Sequence, residues 1–191
     1  DGAYNWRITQ WILPSNSIIP HPKYPISSRA YIPIDDDNTF VFGTSFNPEA
    51  PMTPEEREYL ETGLGAAPQT IPGTFTPVIN RDNNYMLDRV SQRAGNSTGI
   101  PGVNNQDRAI VESMGPIVDR ENEHLGTSDK AIISSRRQLM QLAKDLQNGI
   151  EPVLPHNPAM FGVRAIDVIS PSDELETVVE THRGSLRFPA G

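Results

Sequence analysis

A chain of 191 residues is long enough for one domain with a core of its own, and a formal net charge of −8 with no Lys/Arg cluster excludes a nucleic-acid surface. No apolar run approaches membrane-span length and no signal-peptide pattern opens the chain, so the expectation is a soluble, cytoplasmic protein with no membrane partner. The lack of cysteine excludes disulfides, thiolate metal sites and thiol nucleophiles, while 18 prolines predict long ordered loops between short elements.

Residues 4–13 read as a strand, with Trp6, Ile8 and Ile12 alternating against Asn5, Arg7, Thr9 and Trp11. Ser15-Asn16 and the prolines Pro20, Pro22 and Pro25 interrupt it and leave a short strand at 17–19. A hairpin follows, 29–34 and 39–46, around Asp35-Asp36-Asp37-Asn38. Those aspartates lack the spacing and terminal Glu of an EF-hand, so they read as a solvated turn. Thr53, Pro54 and Glu56 are an N-cap, a first-turn proline and the third position of a capping box; they predict a short helix that stops near Gly63. Residues 65–102 are rich in Gly, Pro, Asn and Thr without sustained periodicity and read as a long loop, of the kind that often carries function. The sequon Asn96-Ser97-Thr98 within it reads as a chance match.

The stretch from Asn104 to Gly115 is the most informative. On a helix, Asp107, Ile110, Val111 and Met114 share one face, while Arg108 and Glu112, four apart, fall on the other. The apolar face should turn to the core and take Asp107 with it. A buried carboxylate needs a cation, hydrogen-bond donors or a metal ion. The plainer alternative is an acid in a helix's first turn, capped by Asn104 or Asn105. After Gly115-Pro116, Thr127 or Ser128 should cap the longest helix, with Ile132, Ser135, Leu139, Leu142, Ala143 and Leu146 on one stripe and Asn148-Gly149 as its stop. Arg136, Arg137 and Lys144 lie off that stripe and read as solvated or subunit-facing, and His124 as a hydrogen-bonded structural histidine. A candidate strand at 163–169 and a polar tail, loosely held beyond Arg183, complete the chain. Strands early and helices late is an α+β order.

The run QDRAIVESMGPIVDR, then EHLGTSD and AIISSRRQL, resembles the oxygenase (alpha) subunit of Rieske non-haem iron oxygenases in its C-terminal catalytic part. The branch is the phthalate 4,5-dioxygenase-like one, which includes aromatic O-demethylases. WRITQWILP, PIDDDNTF, MTPEE and NRDNNYMLDRVSQR add to the match, in the family's order, over most of residues 4–148. The resemblance implies a helix-grip (START/Bet v1-like) domain, an antiparallel sheet curled around a long C-terminal helix. Residues 1–150 would supply its later part, and 151–191 a C-terminal extension packing on the domain or a neighbouring subunit. It implies activation of dioxygen at mononuclear Fe(II), held by two histidines and one carboxylate, to dihydroxylate or O-demethylate an aromatic acid. It also implies a [2Fe-2S] Rieske cluster in an N-terminal part, NAD(P)H acting through a separate reductase, and a homo-oligomer, trimer or hexamer. Asp107, in the QD-x-A-x-x-ES motif, matches the family's iron-binding carboxylate. Asn105 and Gln106 are candidates to hydrogen-bond nearby or to touch substrate. Arg7, on the mixed face of the first strand, is the candidate for a substrate carboxylate; the alternative is a salt bridge to a neighbouring strand, or to Glu49, Glu55 or the Asp turn.

A Rieske cluster needs two Cys and two His, and the four histidines here (His21, His124, His156 and His182) form no close pair. With no initiator Met either, the chain reads as the C-terminal part of a longer subunit. Alone it is expected to be inactive, to bind iron weakly or not at all, and, with exposed sheet edges, to associate, misfold or be found with its other half. Two other classes remain open: a stand-alone helix-grip module for an apolar or aromatic ligand without metal, and a non-catalytic assembly subunit.

Overall fold

Residues 4–13, read as one strand, fold as two. The computed structural model describes residues 2–21 and 25–188; Pro22, counted above among the interrupting prolines, lies outside them. β1 (Tyr4–Ile8) and β2 (Gln10–Ile12) separate at Thr9 because they pair with different partners. The alternation holds within β1: Trp6 and Ile8 are half-buried, Asn5 and Arg7 exposed. β2 pairs antiparallel with β3 (Asn16–Ile19), Gln10 opposite Ile18, and Ile18 is buried. The chain divides into two units, Asp1–Pro20 with Asp119–Gly191, and His21–Val118.

The second unit opens with the expected hairpin, β4 (Ile26–Pro33) against β5 (Thr39–Phe46), closing at Pro33 opposite Thr39. Asp35 Oδ1 accepts from the N–H groups of Asp37 and Asn38 at 2.9 and 2.7 Å, so the first aspartate shapes the turn. Gly43 lies opposite Arg29, and a Cβ there would sit 2.5 Å from the Ala66 carbonyl oxygen; only glycine lets that turn close on the strand. α1 (Pro54–Glu61) carries the full capping box. Thr53 Oγ1 accepts from Glu56 N–H at 3.2 Å, and Glu56 accepts from Thr53 N–H at 2.8 Å. The helix stops before Gly63, whose φ is +72°.

Residues 65–102 are more structured than predicted. A 3-10 segment at Arg81–Met86 starts at an Asn80 cap, and α2 (Arg89–Arg93) starts at an Asp88 cap. Both are too short to show a 3.6-residue period, which is why the pattern read as loop. α3 (Val103–Ser113) follows.

In the first unit, Thr127–Asp129 form a 3-10 turn, so the long helix α4 (Lys130–Gln147) starts a few residues after its predicted caps. The Asp129 carboxylate accepts from Gly126 N–H at 2.8 Å and closes that turn. Arg136 is not merely solvated: it grips the Glu123 carboxylate with two bonds, at 2.5 and 3.0 Å. His124, expected to be hydrogen-bonded, is exposed and has no side-chain partner among the described residues. β6 (Ile166–Ser170) pairs antiparallel with β1, from Tyr4 opposite Ser170 to Ile8 opposite Ile166.

α5 (Leu175–Thr181) stands where a polar tail was expected, with Val178 wholly buried. The described residues beyond Arg183 are held as well. Leu186 is buried, Arg187 bridges to Val163, and Phe188 N–H donates to Gly162 at 3.0 Å. The whole is an α+β chain of antiparallel strands and a long late helix, consistent with a helix-grip fold and not a closed barrel. No helix among the described residues is long and apolar enough to cross a membrane.

Candidate functional site

α3 begins at Gly102, which offers no side-chain cap, so Asp107 lies in the second turn rather than the first. Neither Asn104 nor Asn105 caps it. Asn104 instead accepts from Arg29 at 2.5 Å and donates to the Gly65 carbonyl, tying the first turn of α3 to β4 and to the turn after α1. Asn105, 2% exposed, donates to the Pro101 carbonyl at 2.8 Å, and Gln106 donates to that of Ile100 at 2.9 Å. Both amides therefore secure the chain where it enters the helix.

The helix faces the opposite way from its amphipathic pattern. Val103, Ile110, Val111 and Met114 are exposed, Ile110 by 67%, and Asp107 is exposed with them. The inward side carries Asn105, Arg108, Ala109 and Glu112. Built partners make that polar side the inner one. Arg108 donates to the Ile79 carbonyl and to Asn105 Oδ1 (3.0 Å), and its Nε stands 3.7 Å from Glu112 Oε1. Tyr85 donates its hydroxyl to Glu112 Oε2 at 2.6 Å, and Arg81 donates to the Glu112 backbone carbonyl. Burial lowers the pKa of the Arg108 guanidinium, opposed by Glu112 and Tyr85. Burial, then the Glu112 carboxylate, raises the Tyr85 phenol and keeps it a donor. Arg108 Nε is the one buried side-chain nitrogen or oxygen without a hydrogen-bond partner among the described residues.

Tyr85 was missed by the sequence reading. Asn84, Tyr85 and Met86 have φ of 52, 54 and 51°, three successive non-glycine residues in the left-handed region. Such a conformation costs on the order of 1–3 kcal/mol per residue, and strained segments of this kind cluster at functional sites. The available signal was Asn83-Asn84, because asparagine tolerates that region better than most residues.

Asp107 stands apart from this network. No hydrogen bond or ion pair engages its carboxylate among the described residues. No group of three or more His, Cys, Asp or Glu able to hold a metal occurs among them either, so this carboxylate offers one donor of a three-donor face. In the other unit, Arg7 faces Asp167 across β1 and β6, with Nε 3.5 Å from Oδ2, and donates to the Pro20 carbonyl at 3.1 Å. Its salt-bridge partner is thus Asp167, not Glu49, Glu55 or the Asp turn. The Arg7 side chain remains 59% exposed.

Residues 3–174 match the family model described as LigXa C-terminal domain like. The chain belongs to this family. This LigXa C-terminal domain-like chain is also 34% identical over 145 residues to the phthalate 4,5-dioxygenase oxygenase subunit of Pseudomonas putida, covering 75% of the chain and 32% of that protein. To the 3-chlorobenzoate-3,4-dioxygenase oxygenase subunit of Comamonas testosteroni it is 27% identical over 195 residues, covering 91% and 44%. It therefore spans less than half of the length of each of these curated relatives. Together they make it the C-terminal part of a Rieske oxygenase alpha subunit.

Proposed function

We propose that the complete subunit dihydroxylates an aromatic acid, with Asp107 as the carboxylate of a two-histidine, one-carboxylate iron(II) site. The observation that carries this is an acidic side chain left uncommitted on an exposed apolar helix face, while the other side of the same helix is tied down by hydrogen bonds. Asp107 would donate an anionic oxygen and offset part of the metal's charge. Iron(II), when bound, supplies dioxygen activation beside the substrate ring. Val103, Ile110, Val111 and Met114 give that carboxylate an apolar surround suited to an aromatic ring and, once covered, to excluding water. Asn105 and Gln106 secure the entry to α3 that presents Asp107.

The two histidine ligands and the Rieske cluster belong, in this reading, to other parts of the subunit, since this chain has no cysteine and its four histidines form no close pair. A reductase fed by NAD(P)H and a trimeric or hexameric assembly complete the proposal, with residues 151–191 as an extension of the oxygenase domain. Phthalate and 3-chlorobenzoate, in the names of the two relatives, are both aromatic carboxylates, and both relatives are named dioxygenases. Those names favour an aromatic acid and dihydroxylation over O-demethylation. Arg7 is the proposed partner of the acid group, which would have to compete with Asp167 for it.

The deciding experiment is Asp107→Ala in the complete subunit. Iron content should fall to background and turnover should stop, while the visible spectrum of the Rieske cluster is unchanged. Normal iron content in that variant would falsify the ligand assignment. Labelled dioxygen tests the reaction type, since dihydroxylation leaves both oxygen atoms in the ring product.

A further inference from the structure

α3 buries only two side chains, Asn105 and Ala109, so close apolar packing does little to set its rotation. Directional bonds do this instead. At the far end of the inward side, Glu112 accepts the Tyr85 hydroxyl at 2.6 Å, a short charge-assisted bond. Tyr85 is placed for this by the left-handed run from Asn84 to Met86, closed by its own N–H on the Asn80 carbonyl at 2.8 Å.

We infer that Tyr85 is a positioning residue for Asp107: its bond to Glu112 sets the rotation of α3 about its axis, and with it the direction in which the Asp107 carboxylate points. The inference rests on the ligand reading above. Glu112 is five residues beyond Asp107, about 140° around the helix, so a pull on one side swings the other. Side chains reach about 5–6 Å from a helix axis, and a turn of about 10° would move the carboxylate by about 1 Å. Metal–ligand distances tolerate only about 0.2 Å, so a loosened α3 would hold iron poorly without unfolding. Tyr85 touches neither metal nor substrate in this scheme.

The test uses the complete subunit loaded with iron(II), mixed with excess ferrous chelator, and reads the rate of iron release beside the melting temperature. Tyr85→Phe removes only the hydroxyl. It should release iron about tenfold faster, the low end of what loss of a metal-site supporting bond costs. Thr53→Ala, which breaks the capping box of α1, should lower the melting temperature comparably and leave release unchanged. Glu112→Gln keeps an acceptor for the hydroxyl but weakens the bond, and should fall between wild type and Tyr85→Phe. It carries the test alone if Tyr85→Phe does not fold. Wild-type release rates in Tyr85→Phe, or in Glu112→Gln where that stands alone, overturn the inference. If Asp107→Ala has meanwhile lost its iron, the ligand reading survives that result. Iron retained by Asp107→Ala overturns both.

Discussion

Arg7 and Asp107 are a basic and an acidic side chain on two different units, and their surroundings differ in kind. Arg7 has a counter-charge directly opposite it on β6 and a carbonyl from Pro20, so the local sheet accounts for it. Asp107 has no such partner among the described residues, although the helix bearing it is tied to Gly65, Ile79 and Tyr85 by side-chain hydrogen bonds. A charge with a built partner can take a substrate acid only in competition with that partner. Under the proposed ligand reading, the Asp107 carboxylate, amid exposed isoleucine, valine and methionine, is the one that would take iron(II).

Breaking the ties on each side sharpens the contrast. Glu112→Ala strips Tyr85 of its acceptor and leaves the Arg108 guanidinium without a carboxylate. Removing one partner of a fully buried pair costs about 3–5 kcal/mol; Glu112 is 37% exposed, so we expect about 1–3 kcal/mol after solvent screening, read by chemical denaturation. A loss below about 0.5 kcal/mol would show that the polar anchors are incidental.

Next in size is Arg7→Met in the complete subunit. The apparent KM for an aromatic carboxylate should rise about tenfold, equivalent to roughly 1.4 kcal/mol, while that for its methyl ester barely moves. Equal response of acid and ester would make Arg7 purely a partner of Asp167. Asp167→Ala, which breaks the same bridge from the other side, should cost less than about 1 kcal/mol, because Arg7 is largely exposed.

The smallest effect concerns Glu123. Two bonds from Arg136 hold its carboxyl below the ordinary value of 4.5, opposed by some desolvation and helped by Arg120. A depressed folded pKa adds stability above that ordinary value, and this is lost as pH falls through the lower folded value. Melting curves of wild type and Glu123→Gln should therefore differ at neutral pH and converge on acidification below pH 4.5. A constant gap down to acid pH would show that the clamp does not act through the carboxylate's charge.

Signals that act within a few residues were legible from the chain alone. The Thr53–Glu56 capping box, the stop at Gly63, the Asp35 turn and the alternation of Trp6 and Ile8 all appear where local chemistry demands. Asp107 was marked out by its motif's resemblance to a known family, not by its helical pattern. The short helix α5 escaped because seven residues are too few to display a period, and its Val178 is buried only through tertiary packing. The facing of α3 was decided by tertiary structure alone. Amphipathicity identifies which face is apolar but not what lies opposite it; Gly65, Ile79 and Tyr85, 39, 29 and 27 residues before their bonding partners, met the polar face and turned the apolar one outward. Likewise the sequence offered Arg7 several acids, and only the pairing of β1 with β6 selected Asp167, because strand register is set between segments distant in the chain.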